Sequence, residues 1–182
     1  MSEPFAEQLD LNVDPDADER AASDPGAVNR ARGFVVDALS RTERTRGQLA
    51  QMLARKGVES EVAEVVLDRF TEVGLIDDEV YARMFVESRH TNRGLGSRAL
   101  SAELRRRGVD DQVIAAAVGE LDDDQQFETA CRIAEARLAR MSALAEPVQL
   151  RRLAGFLARK GYSGELAMRA IRTAFENRAL EE

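Results

Sequence analysis

The chain has 182 residues, 33 acidic against 26 basic, one cysteine, no tryptophan and 5% aromatic residues. A lone cysteine excludes an internal disulfide and fits a reducing compartment. No apolar run approaches the ~18 residues of a membrane span, and the acidic N-terminus is unlike a signal peptide, so a cytoplasmic protein without membrane contact is expected.

Ala, Arg, Leu and Glu dominate, which is helix-forming composition. The formal charge of −7 is unevenly spread. Residues 1–25 carry eight acids and one base, Arg20, so the remainder sums to zero. Residues 81–109 hold seven arginines against Glu87 and Glu103, and residues 110–124 hold six acids and no base. Such banding selects partners more than total charge does.

Residues 1–26 are acidic, with Pro, Ser and Gly and few large apolar groups. They bury too little surface to offset ordering entropy, so a disordered, solubilising tail is expected. From Ala27 the pattern turns helical, and it repeats. Leu49-Ala-Gln-Met-Leu53-Ala-Arg55-Lys56-Gly57-Val58 recurs as Leu100-Ser-Ala-Glu-Leu104-Arg-Arg106-Arg107-Gly108-Val109 and as Leu153-Ala-Gly-Phe-Leu157-Ala-Arg159-Lys160-Gly161-Tyr162. The offsets are 51 and 53 residues. Apolar columns flank each copy: Phe34, Phe85 and Leu138 before it, then Val62, Val113 and Leu166, then Val66, Ala117 and Ala170.

Each copy reads as three helices, over 28–41, 46–56 and 59–73, then 78–91, 98–107 and 110–121, then 124–142, 147–160 and 164–178. Thr45 with Gln48 forms a capping box, Ser97 is a candidate cap, and Pro147 suits a first helical turn. The expected architecture is all-α: three tandem three-helix, helix-turn-helix-like repeats (27–76, 77–123 and 124–182) forming an elongated, curved modular protein.

The link between second and third helices is always basic-basic-Gly-apolar, a helix-turn-helix geometry. A groove-reading role is disfavoured by the third helices, which carry Glu59, Glu61, Glu64, Asp68 and Glu72 in the first repeat and Asp110, Asp111 and Glu120 in the second. Carboxylates would be repelled by phosphates.

No catalytic constellation is present, so an enzyme is not expected, nor a cofactor or metal. His90 and Cys131 are the only residues of their types. Cys131, among Phe127, Ala130, Ala134 and Leu138, reads as a small core residue. His90, at a helix end near Arg89 and Arg93, can bond terminal carbonyls. Asp122, Asp123 and Asp124 fit a helix start rather than a calcium loop. The basic band supplies the candidate partner contacts Arg89, Arg93, Arg98, Arg105 and Arg106. Arg107 matches Lys56 and Lys160 at a helix C-terminus and reads as structural.

The repeats are joined at Gly74-Leu75-Ile76-Asp77-Asp78-Glu79-Val80-Tyr81-Ala82-Arg83-Met84-Phe85-Val86-Glu87-Ser88-Arg89. Gly74 can stop one helix, Leu75 and Ile76 can pack on the helix ends, and Asp77 or Asp78 can cap the next. Tyr81, Met84 and Phe85 are expected in the core, and the joint is expected to set the angle between repeats.

This stretch, with Arg41-Thr-Glu-Arg-Thr-Arg-Gly-Gln-Leu49 and Arg93-Gly-Leu-Gly96, resembles the RecX family, bacterial regulators of the RecA recombinase. The resemblance covers residues 30–178, and the Ala- and Arg-rich chain points to a high-GC actinobacterial member. Arg41–Thr45 departs from the family's usual sequence, and Gln48 stands where Glu is common. The resemblance implies binding to RecA along the groove or at the end of the RecA–DNA filament. It also implies inhibition of ATP hydrolysis, strand exchange and coprotease activity, and so modulation of DNA repair and the SOS response. A monomer with at most weak direct DNA contact is expected. The alternative is an autonomous DNA-binding protein competing for single strands, which the few aromatic residues disfavour.

Overall fold

The computed structural model describes residues 25–181. The acidic tail therefore lies outside the described residues, except that Pro25 and Gly26 already form the first turn of a helix. Nine α-helices occur among the described residues: α1 (Pro25–Leu39), α2 (Arg46–Arg55), α3 (Ser60–Glu72), α4 (Asp78–Arg93), α5 (Ser97–Arg106), α6 (Asp111–Gly119), α7 (Asp123–Leu138), α8 (Glu146–Lys160) and α9 (Gly164–Glu181). A 3₁₀ turn, Ala139–Met141, ends α7, where the sequence predicted helix to 142.

Two compact units emerge. The first holds residues 25–42 together with Leu49–Ile76. Its core is built from Val28, Ala31, Val35, Leu49, Leu53, Val62, Val66, Leu67, Phe70 and Ile76. The second holds Glu43–Gln48 and everything from Asp77. It contains two cores, one around Phe85, Leu100, Leu104 and Ile114, the other around Leu138, Leu153, Leu157, Tyr162 and Ile171. The leucine columns of the repeat are fully buried in every copy.

Each basic-basic-Gly turn closes its helix in the same way. Gly57, Gly108 and Gly161 take φ of 75°, 75° and 92°. The N–H of the next residue, Val58, Val109 or Tyr162, donates to the carbonyl of Leu53, Leu104 or Leu157. This is the glycine-terminated helix stop in which left-handed backbone satisfies otherwise unpaired carbonyls.

Within the second unit, two such turns receive the first turn of another helix. The Thr45 hydroxyl donates to the Arg107 carbonyl and accepts from the Gln48 N–H at 3.1 Å. Gln48 Oε1 in turn accepts from Thr45 N at 3.2 Å, completing the predicted capping box. A Cβ added to Gly47 would lie 2.7 Å from the Gly108 Cα. At the homologous place, Gly96 N and Arg98 N donate to the carbonyls of Lys160 (2.8 Å) and Gly161 (3.1 Å). A Cβ on Gly161 would lie 2.2 Å from Ala99 N.

The start of α4 is fixed by both acids of the joint. The Asp77 carboxylate accepts from Val80 N at 2.8 Å, as an N-cap does. The Asp78 carboxylate accepts from Arg46 N at 2.9 Å. Burial pushes the Asp78 carboxyl above its ordinary range, against the lowering by the Arg46 N–H bond and the Arg46 charge. Gly74 takes φ 73°. Ile76 is buried, whereas Leu75 stays exposed.

Substitutions at Gly47, Gly33 and Asp78 should differ in sign. Gly47→Ala forces backbone against backbone and should cost about 1–3 kcal/mol in denaturant unfolding. Gly33→Ala, in the interior of α1 with nothing within 4 Å, should instead stabilise by about 0.5–1 kcal/mol. At Asp78, a carboxyl pKa raised on folding means that the protonated form suits the fold. Its contribution is present at acid pH and is lost as pH rises through the folded value. Asp78→Asn keeps an acceptor for Arg46 N, so it should equal or exceed the wild-type melting temperature at neutral pH and lose that advantage in acid. Asp78→Ala removes the acceptor and should cost about 1 kcal/mol.

Candidate partner-binding surface

The second repeat positions its arginines through the aromatic pair at the start of α4. Tyr81 and Phe85 stack with ring centroids 6.1 Å apart. The guanidinium carbons of Arg89 and Arg107 lie 5.2 Å and 4.4 Å from the Phe85 ring centre. Such contacts hold a cation by the ring's quadrupole. Arg107 is further tied to the Glu103 carbonyl at 2.9 Å and to the Glu103 carboxylate at 3.6 Å. It is a packed structural cation, as its repeat position predicts. Met84 does not join this core. It is 50% exposed, and Val80, one turn before it, is 41% exposed. The buried stripe of α4 runs through Ala82, Phe85, Val86 and His90, which leaves Met84 on the outer face.

The other predicted contact residues divide into two sets. Arg93, Arg98 and Arg106 are exposed. None makes a side-chain ion pair or hydrogen bond among the described residues. Arg105 is different: its Nε lies 2.6 Å from the Asp111 carboxylate, so an acid at the start of α6 already compensates its charge. Arg98 and Arg105 are two helical turns apart, opposite the buried Leu100 and Leu104.

The turn that presents Arg93 and Arg98 is fixed from below. Gly94 ends α4 in the left-handed region at φ 58°. The Arg93 carbonyl accepts from Lys160 Nζ. The Gly94 carbonyl accepts from the buried Tyr162 hydroxyl at 3.1 Å. Burial pushes the Tyr162 phenol up to about 12, so it remains a donor throughout the working range. His90 Nδ1 sits 2.9 Å from the Leu95 carbonyl, which can only accept, so Nδ1 carries a proton. Its Nε2 meets the Thr129 hydroxyl at 3.0 Å. His90 thus ties the helix end to α7, and Thr129 is the partner that the sequence pattern did not reveal. Ser97 is not the cap of α5. Gly96 holds that position, and Ser97 N donates instead to the buried Gln126 side chain at 3.3 Å.

Beside this turn, α4, α6 and α7 enclose a cleft of about 720 Å³ lined by both signs of charge, including Arg83, Glu87, Glu128 and Arg132. The acids after the band serve local structure. Asp110 caps α6 by accepting from Gln112 N, and Asp122 caps α7 by accepting from Asp124 N. No group of three metal-ligating side chains occurs among the described residues. Cys131 is half-buried against the third core, and burial raises its thiol pKa, which keeps it from being a ready nucleophile. No described helix is long and apolar enough to cross a membrane.

Comparison with known proteins agrees along the chain. Profiles of the first, second and third three-helix domains of RecX match residues 31–70, 77–118 and 123–171. The "Regulatory protein RecX" of Thermobifida fusca is 47% identical over 152 residues, covering 84% of this chain and 82% of that protein. The protein of the same name from Streptomyces coelicolor is 48% identical over 149 residues, covering 82% and 79%. The fold matches the crystal structure of RecX from Lactobacillus salivarius at a TM-score of 0.76 and 20% identity, over 81% of this chain and 96% of that one. A second crystal structure, of regulatory protein RecX, matches at 0.73 and 23% identity, over 81% and 72%. With all three helical domains matched and relatives near half identical, the chain belongs to the RecX family of regulatory proteins.

Proposed function

We propose that this protein is a cytoplasmic regulator, not an enzyme, that binds RecA and the RecA–DNA filament as a monomer. In this reading it inhibits recombinase, ATPase and coprotease activities and so tempers DNA repair and the SOS response. The observation that carries the reading is the set of exposed arginines without ion-pair partners among the described residues: Arg93 and Arg98 beside the hydrogen-bonded Gly94 turn, and Arg106 at the far end of α5. Uncompensated guanidinium groups match carboxylates and phosphates, the two anions that a protein–DNA filament offers. Arg89 flanks the set from its seat on Phe85. Arg105 contributes less, because Asp111 already holds it.

The covered aromatic rings argue against autonomous single-strand binding. Strand binders stack bases on open rings. Here Lys56 covers Phe34, Arg107 covers Phe85, Arg169 covers Phe127, Arg137 covers Phe156 and Arg178 covers Phe175. Phe70 and Tyr162 are buried.

The triple variant Arg93→Glu/Arg98→Glu/Arg106→Glu, checked for retained helicity, should raise the concentration needed to inhibit the DNA-dependent ATPase of RecA by at least about tenfold, or ~1.4 kcal/mol. Arg105→Ala should change it far less. Undiminished inhibition by the triple variant removes these arginines from the mechanism. In the same preparation, binding to DNA alone should fade at ~150 mM salt. Tight binding that persists there favours the competing reading of an autonomous DNA-binding protein.

A further inference from the structure

Two of the three basic-basic-Gly turns are occupied, and the third is built the same way yet receives nothing among the described residues. The occupied turns, Arg107-Gly108 and Lys160-Gly161, each accept the first turn of an α-helix through main-chain carbonyls. The occupants are small where the backbones cross: Gly47 at one turn, Gly96 and Ala99 at the other. The positions correspond. Thr45 meets Arg107 as Gly96 meets Lys160, and Gly47 meets Gly108 as Arg98 meets Gly161, each shifted by the repeat offset.

The turn of the first repeat, Lys56-Gly57, has the same left-handed glycine at φ 75° and the same helix stop. Its basic residue also covers a phenylalanine, with Lys56 Nζ 4.1 Å from the Phe34 ring centre. Lys56 and Gly57 are both exposed. A Cβ added at Gly57 would meet no described atom within 4 Å.

We infer that the Lys56-Gly57 turn is a docking surface for the N-terminal turn of a helix from another protein, one with Gly, Ala or Ser at the crossing point and with free N–H or hydroxyl donors. The polarity fits, because the carbonyl end of α2 carries partial negative charge and an incoming helix N-terminus carries partial positive charge. A second copy of this chain is not the occupant. The one remaining helix of this class, α8, has Pro147 in its first turn, which removes a donor. Gln149, the counterpart of Thr45, is 2% exposed. Its side-chain nitrogen donates to the carbonyls of Met141 and Leu144, both at 2.8 Å. The inference stands apart from the reading of the arginine surface.

The test uses the full ¹⁵N-labelled chain and, as probe, a synthetic peptide of residues 42–55, which contains the turn that this chain seats on Gly108. Addition of peptide to ~1 mM, the scale of a weak contact, should shift the amide signals of Lys56, Gly57 and Val58. Gly57→Asn, the side chain best tolerated at left-handed backbone after glycine, should lower the melting temperature only slightly, keep the helical content and abolish those shifts. A peptide carrying Gly47→Leu should fail on the unaltered protein, which keeps the test independent of how the variant folds. Absence of shifts at Lys56–Val58, shifts confined to Arg107 and Gly108, or shifts that survive the Gly47→Leu change would each overturn the inference.

Discussion

The second unit depends on one kind of contact: a helix N-terminus laid backbone to backbone on the glycine turn that ends another helix. At Gly47 and Gly108 the approach leaves no room for a side chain on either residue. At Gly96 and Gly161 it brings two N–H donors onto carbonyls that helix termination would leave unpaired. Residues beyond the contact are then placed by it. Arg107 is held at its carbonyl by Thr45 and at its side chain by Glu103 and Phe85. The Arg93–Ser97 turn is held by Lys160, Tyr162 and Gln126. The exposed Arg93, Arg98 and Arg106 therefore project from backbone that these bonds hold in place.

Much of this was legible in the sequence because the repeat is physical. Leucines four apart at fixed offsets are the buried stripes of α2, α5 and α8, and the glycine after each basic pair is the left-handed stop. The Thr45–Gln48 capping box and the Asp77 cap are local signals, and they hold. The misses are tertiary. Met84 lies at helical spacing with Phe85, but two neighbouring stripes share that spacing, and only packing decides which faces inward. Ser97 is a better cap by type than Gly96, yet the crossing with Gly161 admits no side chain at position 96. Gln126 then supplies the acceptor that Ser97 N lacks. Arg105 belongs to the basic band by sequence, and the acid that neutralises it comes from the following helix. Gly47 carries no local signal, because its reason for being glycine lies in Gly108, far along the chain.

The acids of the second repeat gain a specific meaning from the same geometry. Asp110 and Asp122 hold helix starts, and Asp111 holds Arg105. Their presence on and beside α6 makes that helix unsuited to lying against phosphates. Within the second unit the glycine turns of the helix-turn-helix geometry receive the starts of other helices, and Arg93, Arg98 and Arg106 are the arginines that these acids leave uncompensated.

Cosedimentation is the direct test of filament binding through the exposed arginines. Preassembled RecA–DNA filaments, bare DNA and RecA alone are each mixed with the full chain at ~150 mM salt, where contacts carried only by phosphates weaken, and pelleted. The chain is expected to pellet with the filaments, to stay in the supernatant with bare DNA, and to leave the filament pellet when Arg93, Arg98 and Arg106 are changed to Glu. Equal pelleting with bare DNA, or absence from the filament pellet, would contradict this expectation.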